Sequence, residues 1–367
     1  MNQAKLGTLR KLVTDLPKVK AITFHGREQV KFDSVPEPQI EAPNDAIVKV
    51  QLAGICGSDL HVYHERETGL DLGTVMGHEF VGEIVAVGSN VQRLRVGELV
   101  LSPFTTSCGD CFFCQHELTA RCLRGQLFGW VERGRGLEGA QAEFVRVPMA
   151  ESTLIALPDG LHHEDGLLLG DIFATGFFCV DMAAISPAGV YVVIGCGPVG
   201  IMAVIAAREL GAEKLYAVDS IAERLTLAES CGAQPLDFSR EDIKTVVEDV
   251  TEGRGADAVL EVVGSSAAQR LAMELIRPGG TIATVGVHTV SDFAFSPVEA
   301  YDKNLTFKIG RCPARHYLNR LVPLILKQDL GIRRVISHRL PLREGPRGYE
   351  IFDKKLENCT KAILQMP

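Results

Sequence analysis

The stretch "VVIGCGPVG", residues 192–200, limits the fold of this chain more than any other feature. Gly195, Gly197 and Gly200 stand in the pattern G-x-G-x-x-G, after an apolar strand-like run and before a helix-like run. The first glycine permits a tight turn, the second lets the backbone approach a pyrophosphate, and the third lets helix and strand pack closely. Unpaired N–H groups at the helix N-terminus then favour the phosphates. In this context the pattern predicts a dinucleotide-binding site.

An acidic residue follows the glycine fingerprint at the sequence distance expected for a residue that binds the cofactor ribose. Asp219 ends the next strand-like run, "KLYAVD", 24 residues after Gly195. A carboxylate there accepts hydrogen bonds from ribose hydroxyls and repels a 2′-phosphate, which favours NAD over NADP. NADP stays the alternative, because Arg224 and Ser220 stand nearby and an arginine would hold a 2′-phosphate. The remaining predicted cofactor-binding residues are Pro198, Val199, Val263 and Val287.

The alternation of apolar runs predicts the fold class. From about residue 175, apolar runs bounded by glycine alternate with amphipathic helix-like segments, which is typical of a doubly wound parallel sheet of the Rossmann kind. Before that point, short β-branched runs separated by Gly and Pro predict a barrel-like β region. The predicted class is therefore α/β. The predicted domains are 1–174, completed by 311–367, and 175–310.

Charge and apolar patterning bear on the partners of the chain. Acidic and basic residues are mixed along it, numbering 46 and 38, and the net charge is −8. This balance argues against nucleic acid or an anionic membrane as the main partner. We expect residues 1–18 to be an extension before the first strand, with neither a signal-like segment nor a membrane span. A cytoplasmic location is the corresponding expectation.

Four of the ten cysteines are clustered in "CGDCFFCQHELTARC", residues 108–122. Four thiolates complete a tetrahedral zinc site that has no open position, so the predicted site is structural. An iron–sulfur cluster is the alternative, because sets of four cysteines also hold those. The predicted ligands are Cys108, Cys111, Cys114 and Cys122. The cysteines outside any predicted ligand set are expected to be small core or surface residues: Cys179, Cys196, Cys231, Cys312 and Cys359.

Two further motifs precede that cluster, "GICGSDLH" at residues 54–61 and "GHE" at residues 77–79. Their Cys56 and His78 are ligand types that suit zinc. With the cysteine cluster and the glycine fingerprint in this order, the chain resembles the zinc-dependent medium-chain alcohol dehydrogenase family. The resemblance begins near residue 20 and extends to the C-terminal region. It implies a GroES-like catalytic domain beside the Rossmann domain, hydride transfer between an alcohol and NAD(H), and a homodimer or homotetramer.

The resemblance also implies roles for single residues. Cys56 and His78 would bind a catalytic zinc, and Asp59 would orient His78. Ser58 would hydrogen-bond the substrate oxygen and accept its proton. His61 would stand at the outer end of a proton relay that runs from Ser58 through the cofactor ribose to solvent.

The third ligand is a departure from the commonest family pattern. Many members carry a cysteine in the segment before the Rossmann domain, and this chain has Asp171 there, in "GDIFATGFF". The segment resembles the branch with secondary-alcohol and glutathione-independent formaldehyde dehydrogenases. In that branch the aspartate binds zinc, and the Glu79 position can supply a fourth ligand. The alternatives are a helix N-cap for Asp171 and a buried structural carboxylate for Glu79.

Ligand charge suggests how Glu79 behaves. Zinc with Cys56 thiolate, neutral His78 and Asp171 carboxylate is formally neutral, whereas adding Glu79 makes the site negative and a poorer Lewis acid. We therefore hypothesise that Glu79 binds in the resting state and leaves when substrate arrives.

The substrate is less constrained than the reaction. Phe104 and Trp130 are candidates for the pocket wall, with core packing as the alternative, and such a wall favours small or medium apolar alcohols. Polyols and formaldehyde stay open. A zinc-lobed regulatory protein with a vestigial nucleotide site is the rival class, and its expected basic surface is not seen in the charge pattern.

Overall fold

A computed structural model describes residues 17–367. Most of the predicted N-terminal extension, residues 1–16, lies outside this described part. The chain forms two compact units, of which one ends at Gly170 and resumes over His338–Pro367, and the other is Asp171–Ser337. These units divide the chain at residues slightly different from the domain limits given above, which stay predictions.

The first unit is built mainly from strands. Its strands are β1 Lys18–Phe24, β2 Val30–Pro36, β3 Ala46–Gly54, β4 Phe80–Val87, β5 Leu99–Leu101, β6 Trp130–Glu132, β7 Arg135–Leu137, β8 Phe144–Val147, β9 Ile155–Ala156, β16 Ile336–Pro341 and β17 Lys361–Gln365. Its helices are α1 Asp59–Tyr63, α2 Phe112–Gln115, α3 Ala150–Thr153, α4 His163–Leu169 and α12 Gly345–Asp353. Short 3₁₀ turns cover Thr119–Arg121, Leu342–Glu344 and Leu356–Asn358.

The main sheet of this unit has seven strands and closes on the C-terminal segment. The order is β16-β17-β3-β4-β5-β9, with β8 also paired to β3. Strand β3 pairs antiparallel with β4, β8 and β17, which places Ile363 opposite Gly54. Nearly every residue of β3 is buried, and Val48 and Val50 pack with Phe80 in one core cluster. The motif at residues 54–61 therefore starts from the centre of the sheet.

The second unit contains the dinucleotide fold. Its strands are β10 Val190–Ile194, β11 Lys214–Asp219, β12 Gln234–Asp237, β13 Ala256–Glu261, β14 Ile276–Thr284 and β15 Thr306–Ile309. Its helices are α5 Ile172–Ala183, α6 Pro198–Glu209, α7 Ala222–Ser230, α8 Ile243–Val250, α9 Ser266–Leu275, α10 Pro297–Asp302 and α11 Ala314–Lys327, and a 3₁₀ turn covers Ile332–Val335.

All strand pairs in this unit are parallel, and the order is β12-β11-β10-β13-β14-β15. The chain first adds β11 and β12 on one side of β10. It then adds β13, β14 and β15 on the other side. Ligands of such sheets bind outside the carboxyl ends of the strands, where this reversal occurs. Strand β10 is fully buried, as expected for a parallel strand covered on both faces. The predicted fold class is confirmed, and the sequence analysis had not identified β12 and β15.

Over residues 17–367, no single helix has both the length and the apolar character that a membrane span requires. Helices α4 and α5 pass that test only as a pair bent by 46°, and both bury most of their residues inside the protein.

Candidate functional site

The four predicted ligands of the catalytic metal come together in the structure. One donor atom from each of Cys56, His78, Glu79 and Asp171 lies within 4.8 Å of the others, and all four residues are buried. Cys56 follows β3, His78 and Glu79 precede β4, and Asp171 is bonded to Gly170 at the end of the segment that contains α4. A thiolate, an imidazole and carboxylates in one buried cluster are donor types that could hold a zinc ion.

Asp59 holds the predicted histidine ligand in place. Its Oδ1 lies 3.2 Å from His78 Nδ1, while its Oδ2 accepts hydrogen bonds from the Cys56 backbone N–H at 2.9 Å and from Gln141 Nε2 at 3.3 Å. Tyr349, which is fully buried, donates in turn to Gln141 Oε1 at 2.9 Å. A carboxylate on one ring nitrogen fixes the tautomer and leaves the other nitrogen for a metal.

Ser58 lies against two of the donor atoms. Its Oγ is 3.3 Å from His78 Nε2 and donates to Cys56 Sγ at 3.4 Å. The hydroxyl is therefore within hydrogen-bond reach of a substrate oxygen held by the same cluster.

The glycine fingerprint and its acid lie at the carboxyl ends of β10 and β11. Gly195 has φ +97°, in the left-handed region that favours glycine, and a Cβ at Gly200 would clash with the Gly195 carbonyl oxygen. Asp219 Oδ2 accepts from the Cys196 N–H at 2.8 Å, and Oδ1 accepts from the Ser220 N–H at 2.7 Å. The carboxylate is thus fixed beside the fingerprint loop.

Two features of this loop suit a bound dinucleotide. A Cβ added at Gly197 would have only Arg224 Nη1 as a neighbour, at 3.8 Å, so the backbone there is open to a ligand. Among residues 17–367, Arg224 Nε is buried without a hydrogen-bond partner, as expected for a donor that awaits a phosphate or ribose oxygen. Pro198 and Val199 begin α6, and Val263 and Val287 are partly exposed after β13 and β14.

The cysteine cluster forms a second candidate metal centre. One Sγ from each of Cys108, Cys111, Cys114 and Cys122 lies within 4.8 Å of the others. Backbone N–H groups point at these sulfurs, and hydrogen bonding from Leu123 lowers the pKa of the Cys111 thiol to about 6. The Cys108 N–H similarly donates to Cys122 Sγ at 3.2 Å. Four cysteine sulfurs gathered this closely fit a closed, structural zinc site, because zinc takes four thiolates in tetrahedral geometry.

Comparison with known proteins gives the family. A family model described as "Alcohol dehydrogenase GroES-like domain" matches residues 42–159, and one described as "Zinc-binding dehydrogenase" matches residues 198–327. "Zinc-type alcohol dehydrogenase B" of Aspergillus flavus is 42% identical over 92% of this chain and 79% of its own length. The chain belongs to the zinc-type alcohol dehydrogenase family.

Two further relatives agree with this assignment. "Medium chain reductase/dehydrogenase ucsI" of an Acremonium species is 46% identical over 77% of this chain and 98% of its own length. The alcohol dehydrogenase TADH from Thermus sp. ATN1 has a similar structure, with a TM-score of 0.89 and 41% identity over 95% of this chain and all of that one. The predictions of an enzyme, of alcohol–carbonyl oxidoreduction, and of zinc and a nicotinamide cofactor are confirmed.

The dehydrogenase contains one charged residue at the site that the sequence analysis missed. Lys361 in β17 is fully buried, and its Nζ donates to Glu79 Oε1 at 2.7 Å, to Glu79 Oε2 at 2.5 Å and to the Ile55 carbonyl at 3.0 Å. A Cβ at Gly54 would overlap the Glu79 carboxylate, so the glycine leaves room for this pair. The available signal was a lone lysine in the apolar run "KAILQ".

The remaining predicted residues of the dehydrogenase occupy different surroundings. His61 lies in α1, and burial lowers the pKa of its imidazole, which keeps the ring neutral near pH 7. Its Nδ1 is buried and has no hydrogen-bond partner in the described part of the chain. Phe104 is buried with its ring centroid 6.4 Å from that of His78, whereas Trp130 packs against the core cluster that contains Ile55.

Replacing Cys122 with serine should remove one zinc per chain and unfold the lobe around it. The four residues of α2 stay at least partly exposed, so the lobe has few apolar contacts to hold it together and metal binding must supply its folding free energy. The zinc content measured by elemental analysis should fall from two atoms per chain to one. Limited proteolysis should cut the chain between residues 108 and 122. A Cys231→Ser variant, outside both clusters, should keep two zinc atoms. Unchanged zinc content in Cys122→Ser would contradict the assignment.

Proposed function

We propose that this dehydrogenase reversibly oxidises a small or medium-sized apolar alcohol with NAD, at a zinc held by Cys56, His78 and Asp171. The observation that carries this proposal is the buried cluster of four donor residues with the Ser58 hydroxyl against it. Phe104 beside His78 supports an apolar substrate. Polyols and formaldehyde are the alternative substrates.

Different side chains of the site carry out the successive steps of proton transfer. Zinc, when bound, supplies Lewis-acid polarisation of the substrate oxygen, and NAD accepts the hydride. Ser58 takes the proton from the substrate hydroxyl, and His61, neutral because it is buried, receives it at the outer end of the relay. Asp59 keeps His78 oriented throughout.

Asp171 is proposed as the third ligand. It stands at the N-cap position of α5, and its Oδ1 accepts a hydrogen bond from Thr175 Oγ1 at 3.1 Å. One of its carboxylate oxygens lies within 4.8 Å of the donor atoms of Cys56 and His78, which supports its role as a ligand of the same metal. Membership of the family branch with an aspartate ligand is part of the same proposal.

Glu79 is proposed to alternate between the metal and Lys361. The carboxylate lies within the donor cluster and is also paired to the buried ammonium, so either partner can balance its charge. When Glu79 turns to Lys361, the three remaining ligands make a formally neutral site. That state is the better Lewis acid for substrate.

An Asp219→Asn variant should shift cofactor preference towards NADP. The substitution removes the charge that repels a 2′-phosphate, while Arg224 stays in place to hold one. We expect the ratio of kcat/KM for NADP to that for NAD to rise about ten- to a hundredfold, which corresponds to about 1.5–3 kcal/mol. Damage to the loop alone would lower both values and leave the ratio unchanged, and that result would contradict the role of Asp219.

We also propose a cytoplasmic homo-oligomer, a dimer or tetramer. The ten cysteines, four of which form one metal centre, support a cytoplasmic location. Light scattering coupled to size-exclusion chromatography measures the oligomeric state.

The function is tested by screening alcohols and carbonyl compounds. Purified protein is mixed with NAD or NADP and with secondary, benzylic and polyhydric alcohols or formaldehyde, and NADH absorbance is followed. Two zinc atoms per chain and turnover of an alcohol are the expected results. Turnover of quinones or enones without zinc would instead show a zinc-free reductase.

A further inference from the structure

A fully buried carboxylate that no predicted role accounts for lies at the end of β13. Glu261 is the last residue of that strand and has no exposed surface. Burying a carboxylate costs several kcal/mol unless hydrogen bonds and charges compensate for it. Its compensating partners therefore indicate what it does.

Glu261 holds the loop after β13 in place by hydrogen bonds. Its Oε1 accepts hydrogen bonds from the Val263 N–H at 2.8 Å and the Gly264 N–H at 2.7 Å. Val263 packs over Gly195, the first glycine of the fingerprint, so closely that no side chain fits there. The carboxylate thus controls where an exposed apolar side chain meets the fingerprint loop.

The other carboxylate oxygen of Glu261 holds the loop after β14 by a hydrogen bond. Its Oε2 accepts from His288 Nε2 at 3.1 Å, and the His288 side chain is only 13% exposed. The Glu261 carbonyl also accepts from the Val285 N–H at 3.1 Å. Gly264 and Gly286 pack backbone against backbone, which brings the two loops into direct contact.

These two loops lie at the edge of the sheet where a dinucleotide binds. The reversal of strand order falls between β10 and β13, so the crevice opens beside Glu261. Asp219 at the end of β11 fits the adenosine ribose. The nicotinamide half must then extend to the other side of the reversal, towards β13 and β14.

We propose that Glu261 and His288 are positioning residues, which join residues 262–264 and 285–288 into one rigid platform for the nicotinamide half of the cofactor. The inference rests on the proposed NAD-dependent function and adds Glu261 and His288, which the sequence motifs do not contain. Val263 and Val287 present apolar surface from this platform, and the Glu261–His288 hydrogen bond holds the two together.

The test compares whole and truncated cofactor. NADH and ADP-ribose, which lacks nicotinamide, are titrated against wild type, His288→Ala and His288→Gln, with NADH fluorescence and calorimetry as readouts. In His288→Ala, the Kd for NADH should rise about tenfold, because a hydrogen bond to a charged group is lost. The Kd for ADP-ribose should change less than about twofold, because the adenosine side keeps its contacts. His288→Gln restores an N–H donor and should recover most of the NADH affinity.

Three results would overturn the inference. Equal weakening of NADH and ADP-ribose would show a general structural role, and unchanged binding of both would show that the pair positions nothing. Failure of the glutamine variant to recover affinity would show that the hydrogen bond is not the cause. If wild type itself bound neither ligand, the proposed function would fail together with the inference, and this distinguishes the two.

Discussion

Replacing Lys361 with methionine should lower the free energy of unfolding by about 3–5 kcal/mol, because the change leaves the buried Glu79 carboxylate without its countercharge. Both partners are almost completely buried, and Lys361 donates to both carboxylate oxygens. Methionine has a similar length and shape, so lost packing contributes little. The measurement is urea denaturation of protein stripped of metal by a chelator, since bound zinc would itself balance the charge.

Two further variants separate charge from packing in this experiment. The double variant Lys361→Met with Glu79→Gln removes both charges and should recover most of the lost stability. Lys354→Met, which breaks an exposed pair with Glu350, should leave the free energy of unfolding nearly unchanged. If the double variant is as unstable as Lys361→Met alone, the unpaired carboxylate is not the source of the loss.

The Lys361 variant should also change the zinc site. Without the ammonium, metal is the remaining countercharge for Glu79, so zinc should leave more slowly in a chelator competition. Turnover should fall, because Glu79 then stays on the metal and the site stays negative. Faster zinc loss would contradict the proposed alternation of Glu79 between two partners.

Asp171→Asn should lose the catalytic zinc and lower kcat/KM about a thousandfold or more, because Lewis-acid stabilisation of several kcal/mol disappears with the metal. Zinc content should fall from two atoms per chain to one. Asp171→Cys should keep both zinc atoms, since a thiolate supplies the same charge and is a common third ligand. Elemental analysis and NADH absorbance measure the two effects.

A matched control for this pair lies about three turns further along the same helix. Asp181 accepts hydrogen bonds from Tyr317 and Arg320, both at 2.9 Å, and belongs to neither metal cluster. Asp181→Asn should therefore retain two zinc atoms even where stability falls. Full zinc content and activity in Asp171→Asn would show that Asp171 serves only as the N-cap residue of α5.

Much of the site could be predicted because its chemistry is encoded in short motifs. The fingerprint around Gly195, the cysteine cluster and the "GHE" motif each place their functional groups within a few residues, so spacing alone indicates what they hold. Their roles as ligands stay predictions, although the structure brings the donor atoms together. The strands β12 and β15 were missed because they are short and carry few buried residues.

The sequence by itself determined the fold class and the kinds of ligand, because hydrophobic periodicity and local spacing follow directly from residue order. Only the tertiary structure decided which distant groups meet. Lys361 reaches Glu79 across 282 residues because β17 returns to pair with β3 in the first sheet. Glu261 meets His288 because parallel strands β13 and β14 end side by side. The partners of these buried charges come from distant parts of the chain that sheet pairing brings together. No local sequence pattern therefore predicts them.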